Sequence, residues 1–190
     1  NEISWFYPSS NSNEIDRVVT FNYLEQVWSV GTLARTSWAD KGVYAKPYAT
    51  DFLPSSTATA TPTVQGVSSG RGNLYAQETG NNANGVALPA NITSGDFFLE
   101  EGENLMSISR FIPDFKNLSG TVDVTIQLTN YPAATKVSSP LGPFNITSST
   151  TKKDCRARAR QVALKIDSDA LNDTWRFGTF RADIKPAGRR

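Results

Sequence analysis

Three arginines with a regular spacing are the side chains best placed to bind a partner. Arg156, Arg158 and Arg160 alternate with small residues. In a β-strand such alternation puts the three side chains on one face, in a row with steps of roughly 7 Å. A guanidinium is a planar fork that binds carboxylates with paired hydrogen bonds. The spacing predicts either a solvated strand face or a contact surface for an acidic partner.

Carboxylates are the other candidates for chemistry. Glycoside hydrolysis needs two of them across a cleft, but the sequence indicates no pairing among the candidates Asp114, Asp123, Asp167, Asp169 and Asp173. We expect solvated side chains and turn caps instead, and no enzyme. Because the chain has no His, His-based triads and His metal sites are excluded. The segment 167–169 begins like a calcium loop but lacks the Gly and distal Glu, so a turn is predicted and no metal or cofactor.

Cys155 is the single cysteine, which excludes an internal disulfide. It lies among small apolar residues. A buried, inert thiol is expected rather than a reactive one.

The stretch 152–166 that carries the arginines is typical of one long β-strand. Its odd positions are small and apolar. Its even positions change from the three arginines to Val162, Leu164 and Ile166. One face cannot be solvated and buried along a continuous strand, so we predict either a β-bulge near Gln161 or a strand that leaves the core for a contact surface.

Other alternating segments are expected to build a sheet around this strand. In 121–129 the apolar side chains face a core. The segments 105–115 and 175–184 are predicted as further strands. The core is expected to unite Val122, Val124, Ile126, Val162, Leu164 and Ile166.

The N-terminal part is also predicted to be β-structure. Strands are expected at 3–7, 17–23 and 27–30, with shorter ones at 35–38, 43–48 and 73–79. Tyr23 before a tight turn and Trp28 after it resemble a blade of a kelch-like β-propeller. The segment 53–70 is predicted as a surface loop and 80–85 as flexible, which places a domain boundary between 1–85 and 86–190. The fold class is all-β.

Charge is unevenly distributed along the chain. From Thr151 onward there are 11 Lys/Arg against 5 Asp, a balance of +6, so the net charge of +1 leaves −5 for residues 1–150. Such segregation suits contact between acidic and basic surfaces. No apolar run reaches the ~20 residues of a membrane span, and no secretory signal is found. Because Asn1 leads directly into a strand, we expect the C-terminal part of a longer polypeptide.

Several segments together resemble the C-terminal part of the tail nozzle, or packaged-DNA stabilisation, protein family of short-tailed bacteriophages. The similarity covers nearly the whole chain except 53–70. It rests on the order of the segments 5–8, 22–28, 31–36, 94–96, 110–114, 120–124, 157–163 and 186–190.

This resemblance implies a virion structural protein, with a β-propeller blade-like segment followed by an antiparallel β-sandwich platform. It implies a homo-hexameric ring below the tail adaptor, next to tail fibres, in a virion assembled in the host cytoplasm. Double-stranded DNA would pass through the channel during ejection without sequence-specific binding. A full propeller needs more blades than 190 residues hold. Arg156, Arg158 and Arg160 become candidates for a subunit or adaptor contact, because tight phosphate contacts would hinder sliding DNA.

A carbohydrate-binding β-sandwich module of a phage or bacterial surface protein is the alternative. Such modules bind sugars on Trp and Tyr platforms. Here Trp5, Trp28, Trp38 and Trp175 mostly lie inside strand patterns, where core packing is the expectation.

Overall fold

The protein is all-β. The computed structural model describes residues 1–51, 73–83, 85–131 and 140–188, so the predicted loop 53–70 lies outside the described residues. All strand pairs in these ranges are antiparallel. Some join strands that are consecutive in the chain, and others join strands that are far apart in it. In the same ranges we find no helix that could cross a bilayer. The chain divides into two compact units, Asn1–Thr79 and Gly80–Arg190.

The first unit holds two three-stranded sheets. One has the order β1-β2-β3 and the other β4-β5-β6. The strands are β1 (Glu2–Tyr7), β2 (Arg17–Asn22), β3 (Val27–Thr32), β4 (Ser37–Ala39), β5 (Tyr48–Thr50) and β6 (Leu74–Ala76). The first sheet pairs without any register shift, and β2 and β3 form the hairpin that was predicted around Tyr23.

The second unit holds the longer strands. They are β7 (Asn82–Ala83), β8 (Val86–Ala87), β9 (Ala90–Thr93), β10 (Phe97–Phe98), β11 (Met106–Ile112), β12 (Phe115–Ser119), β13 (Val122–Thr129), β14 (Leu141–Ile146), β15 (Lys153–Ala159), β16 (Gln161–Ser168), β17 (Thr174–Phe177) and β18 (Arg181–Pro186). A five-stranded sheet contains β10-β16-β13-β14, with β9 also on β16, and a three-stranded sheet has the order β15-β11-β18. Two small sheets pair β12 with β17 and β7 with β8.

One hydrophobic cluster joins the inner faces of the five-stranded and three-stranded sheets. The predicted core is confirmed, since Val122, Val124, Ile126, Val162, Leu164 and Ile166 all belong to it. The three-stranded sheet adds Met106, Ile108, Phe111, Cys155, Ala157 and Ala159. Small residues on β15 let the large side chains of β13 and β16 fill the space between the sheets.

The prediction of one strand over 152–166 is wrong. The chain bends at Arg160, and β15 and β16 belong to different sheets. Before the bend the buried positions are odd, whereas after it the even positions Val162, Leu164 and Ile166 are buried, together with Ala163. The change of face was expected near Gln161. It comes from a crossing between two sheets rather than from a bulge within one strand.

Other predicted strands also divide or shorten. The segment 105–115 was expected to alternate throughout, but register shifts between Ile108 and Arg110 turn two successive residues outward, so Ile108 and Phe111 share the buried face. The last predicted strand forms β17 and β18. Val43 is fully exposed and outside any strand. The segment 80–85 was expected to be flexible, but it contributes Asn82 and Ala83 to the β7–β8 pair.

Candidate functional site

Strand β15 places Arg156 and Arg158 on the outer face of the three-stranded sheet. The inner positions Cys155, Ala157 and Ala159 are buried, whereas both arginines are exposed. The small residues pack in the core, and the two guanidiniums project from the opposite side of the strand. This part of the predicted row is confirmed.

Neighbouring strands extend this outer face with more charge. Arg158 is in register with Ser107 on β11, which is in register with Lys185 on β18. The Arg158 Nη2 atom donates to the Ala187 carbonyl at 2.9 Å. For the Arg156 guanidinium we find no hydrogen bond or ion pair with any residue in the described ranges.

A second row on the same face has two carboxylates, one on each side of a guanidinium. Asp154, Arg110 and Asp183 are register partners on β15, β11 and β18. The Arg110 guanidinium lies 3.0 Å from the Asp154 carboxylate and 3.8 Å from that of Asp183. These two aspartates are therefore satisfied within the sheet, next to exposed arginines.

Arg160 does not stand in a row with Arg156 and Arg158. It occupies the bend between β15 and β16. Its guanidinium donates to the Glu103 carbonyl and lies 5.8 Å from the centroid of the Tyr131 ring. These contacts hold the crossing between the sheets, so a row of three is wrong. A contact role for the three arginines stays a prediction.

Most of the candidate carboxylates have structural partners. Asp114 accepts from the Thr179 N–H and pairs with Arg181 at 3.1 Å. Asp173 accepts from the N–H groups of Thr121 and Ala170. These are the turn caps that the sequence predicted. Nowhere in the described ranges do three or more His, Cys, Asp or Glu side chains cluster as a metal site would require.

Asp123 and Asp167 are different, because they face each other. They are register partners on β13 and β16, and each has an asparagine on its other side, so Asn145, Asp123, Asp167 and Asn91 form one line across four strands. We call this line the polar row. The Asn145 amide donates to Asp123 at 3.2 Å and Lys165 pairs with Asp167 at 3.0 Å. The row borders a groove of about 310 Å³.

Cys155 is buried, as predicted. It is 8% exposed, and its thiol lies 3.7 Å from the Ile108 carbonyl. Burial, with a further contribution from the Asp154 charge, raises the pKa of the thiol. A group that stays protonated at neutral pH is a poor nucleophile.

An exposed aromatic face covers one side of the sheet β1-β2-β3. The register places Ile3, Trp5, Tyr7, Val19, Phe21, Trp28 and Val30 on this face, which we call the aromatic face, with Arg17 and Thr32 at one end of it. Trp28 is 60% exposed, Trp5 45% and Val30 78%. Trp28 stacks on Phe21 at 4.5 Å and on Trp5 at 5.8 Å. The expectation of core packing is wrong for Trp5, Trp28 and Trp38, which are all exposed.

The remaining tryptophans have other neighbours. Trp38, 39% exposed, lies against Phe6, with ring centroids 5.3 Å apart. Trp175 is half-buried, and its indole donates to the Ser168 hydroxyl at 2.9 Å.

Two features of these surfaces were not predicted from the sequence. Lys185 and Arg110 belong to the same outer face as Arg156 and Arg158, and the alternation of Arg181, Asp183 and Lys185 was a local signal for it. The opposition of Asp123 and Asp167 had no such signal, because it depends on the register of two distant strands.

Compared with protein-family models and with curated proteins, the sequence shows no match.

Proposed function

We propose that this chain is a structural subunit of a bacteriophage tail. It forms part of a nozzle ring below the tail adaptor, which encloses the DNA exit channel and helps retain and later eject the genome. The ring is a homo-hexamer in the virion and is bordered by the adaptor and by tail fibres. DNA passes through it without sequence-specific binding, and the chain has no catalytic role.

The aromatic face carries this proposal. Its five half-exposed or more exposed large side chains present on the order of 500 Å² of apolar surface. This is near the upper limit for a monomer and most of one side of a standard interface, which is about 800 Å² per partner. A regular sheet with such a face is stabilised by a second sheet packed against it. A blade of a β-propeller has this requirement, since each blade lies between neighbours.

The proposal also assigns a fold to each of the two units. The first unit would be a blade-like segment and the second a β-sandwich platform. The shared cluster between the five-stranded and three-stranded sheets supports the platform assignment, because two antiparallel sheets that bury their inner faces against each other define a sandwich. Arg156, Arg158 and Arg160 would serve its contacts with other subunits or the adaptor.

The proposal is tested in the phage genome that encodes the chain. Removing residues 1–190 from the reading frame should give particles that package DNA and then lose it. Supplying the intact polypeptide in trans should restore particles with complete tails. The readouts are negative-stain electron microscopy of the tails and nuclease sensitivity of the genome. Complete, infectious particles without the chain would contradict the proposal.

Carbohydrate binding is the second candidate, and the stack of Trp5 on Trp28 favours it. Flat aromatic pairs can bind sugar rings. However, the immediate neighbours Ile3, Val19 and Val30 are apolar, and the polar side chains of this face, Tyr7, Arg17 and Thr32, lie together at one end of the sheet. A glycan array separates the two candidates, since a binding module should retain a defined glycan and lose it on Trp28→Ala.

A further inference from the structure

The outer face of the three-stranded sheet has an excess of positive charge. We call it the basic face, and its outward charged residues are Arg110, Asp154, Arg156, Arg158, Arg181, Asp183 and Lys185. Five cations and two anions give a balance of +3, which becomes +2 when Asp114, the ion-pair partner of Arg181, is included. Because both aspartates lie against Arg110 and Arg181 pairs with Asp114, an anionic partner would be attracted most at Arg156, with Arg158 next to it on the same strand.

The polar row on the five-stranded sheet brings two carboxylates together on neighbouring strands. Carboxylates directly opposite each other on neighbouring strands repel and destabilise the pair. Lys165 pairs with Asp167. Asp123 accepts an amide N–H from Asn145, but it has no ion pair with any residue in the described part of the chain. A guanidinium from outside would relieve the repulsion between the two carboxylates.

These two surfaces point in opposite directions. The inner faces of their sheets share one hydrophobic cluster, so the outer faces look away from each other. A contact between them can therefore form only between two copies of the chain. Because this contact joins two different surfaces, it is heterologous. Repeating a heterologous contact from copy to copy generates a closed ring when the successive rotations add up to a full turn. A two-fold contact of the basic face with itself would bring like charges together.

We propose that the basic face of one copy binds the polar row of the next copy, with Arg156 and Arg158 donating to Asp123 and Asp167. The inference rests on the proposed function, since it concerns a ring of copies, and it adds which surfaces meet. The arginines are about 7 Å apart along one strand, and the carboxylates are about 5 Å apart across two strands. Arginine side chains are long enough to span that difference.

Charge reversal on each surface tests the contact in the purified chain. Arg156→Glu with Arg158→Glu, and separately Asp123→Lys with Asp167→Lys, should each weaken self-association on the order of tenfold or more. All four changes in one chain should restore it, because the charges are then exchanged but still complementary. Sedimentation velocity at low and high salt is the measurement, and wild-type association should weaken as salt rises.

Matched controls separate this contact from general charge effects. Lys116 and Arg176 are exposed register partners on β12 and β17, so Lys116→Glu with Arg176→Glu makes the same charge change on another surface and should not alter association. Replacing Arg158 also removes its hydrogen bond to the Ala187 carbonyl, which could disturb the fold. The single variant Arg156→Glu keeps that bond and therefore tests the contact without this effect. Melting curves verify that each variant is folded.

The results distinguish failure of this inference from failure of the proposed function. A monomeric wild type, or a fourfold variant that stays dissociated, would overturn the inference. Salt-dependent binding of double-stranded DNA that is lost with Arg156→Glu would also overturn it, in favour of a phosphate ligand. If the arginine variants associate normally but block tail assembly in the phage, the proposed function stands and the inference fails. If association needs both surfaces but the chain is dispensable for the virion, the inference stands and the proposed function fails.

Discussion

Asp51 and Asn73 are residues that join two separate parts of the first unit. The Asn73 N–H donates to one Asp51 carboxylate oxygen at 2.7 Å, and the Tyr75 hydroxyl donates to the other at 2.7 Å. The Arg35 guanidinium lies 4.0 Å from the centroid of the Tyr75 ring. Burial acts to raise the pKa of Asp51, but the hydrogen bonds from Asn73 and Tyr75 outweigh it and lower the pKa below its ordinary value of 3.8.

The lowered pKa predicts a loss of stability in acid. A carboxyl with a lower pKa in the folded state than in the unfolded state stabilises the fold above its unfolded pKa. That contribution disappears as the pH falls through the folded value, here below 3.8. Asp51→Asn should therefore be less stable than the wild type at neutral pH, with a smaller decrease of stability in acid.

Urea unfolding at about pH 6 and pH 3, followed by circular dichroism, measures this difference. Glu25→Gln is a suitable control, because Glu25 is exposed in the turn between β2 and β3. An identical acid dependence in the wild type and in Asp51→Asn would contradict the assigned role.

Cys155 gives a second prediction at this scale. The thiol is buried in the core cluster and its pKa is raised. We expect a thiol-specific reagent to leave it unmodified in the native protein at neutral pH and to modify it fully in denaturant. Rapid modification without denaturant would show that β15 opens readily from the sheet.

At the scale of elements, β13 and β16 are the centre of the second unit. They pair over seven consecutive residues, from Asp123 to Thr129. Their inward side chains fill the space between the two sheets, and Ile126 is 0% exposed. Regular alternation without a bulge keeps these side chains on one face and makes the register specific.

Ile126→Ala should reduce the free energy of unfolding by about 2–5 kcal/mol, because it removes buried methyl groups and leaves a cavity. Thr125→Ala changes the neighbouring residue on the outer face and should cost far less. Urea titration of both variants gives the comparison. Equal midpoints for Ile126→Ala and the wild type would contradict the assigned inner face.

At the scale of the whole molecule, the first unit differs from the second in the exposure of one continuous apolar sheet face. The second unit buries one large cluster of apolar residues between its two main sheets. The first unit leaves the aromatic face exposed, with Trp28 and Val30 as its most exposed members. Such a surface favours association, in agreement with the proposed role in an assembly.

We therefore expect residues 1–85, expressed alone, to aggregate or to remain disordered. A small sheet with open edges and one exposed apolar face is marginally stable in water. Size-exclusion chromatography and amide proton spectra of this fragment test the expectation. A soluble monomer with sharp, dispersed signals would refute it.

Local patterns in the sequence were sufficient for the fold class and for the core of the second unit. Val122, Val124 and Ile126 alternate with polar residues, and period two alone assigns them to one face. The small residues at 155, 157 and 159 likewise predicted a buried face. The absence of His by itself excludes His-based triads and His metal sites.

Only the tertiary structure decided how these strands are combined. Alternation assigns a face within a strand but does not specify the sheet, so it could not predict the division at Arg160 into β15 and β16. The opposition of Asp123 and Asp167 depends on the pairing of segments far apart in the chain. Likewise, the pattern around Trp5 and Trp28 indicates an apolar face, but not whether that face is covered. Coverage depends on what packs against the sheet, and that is a property of non-local contacts.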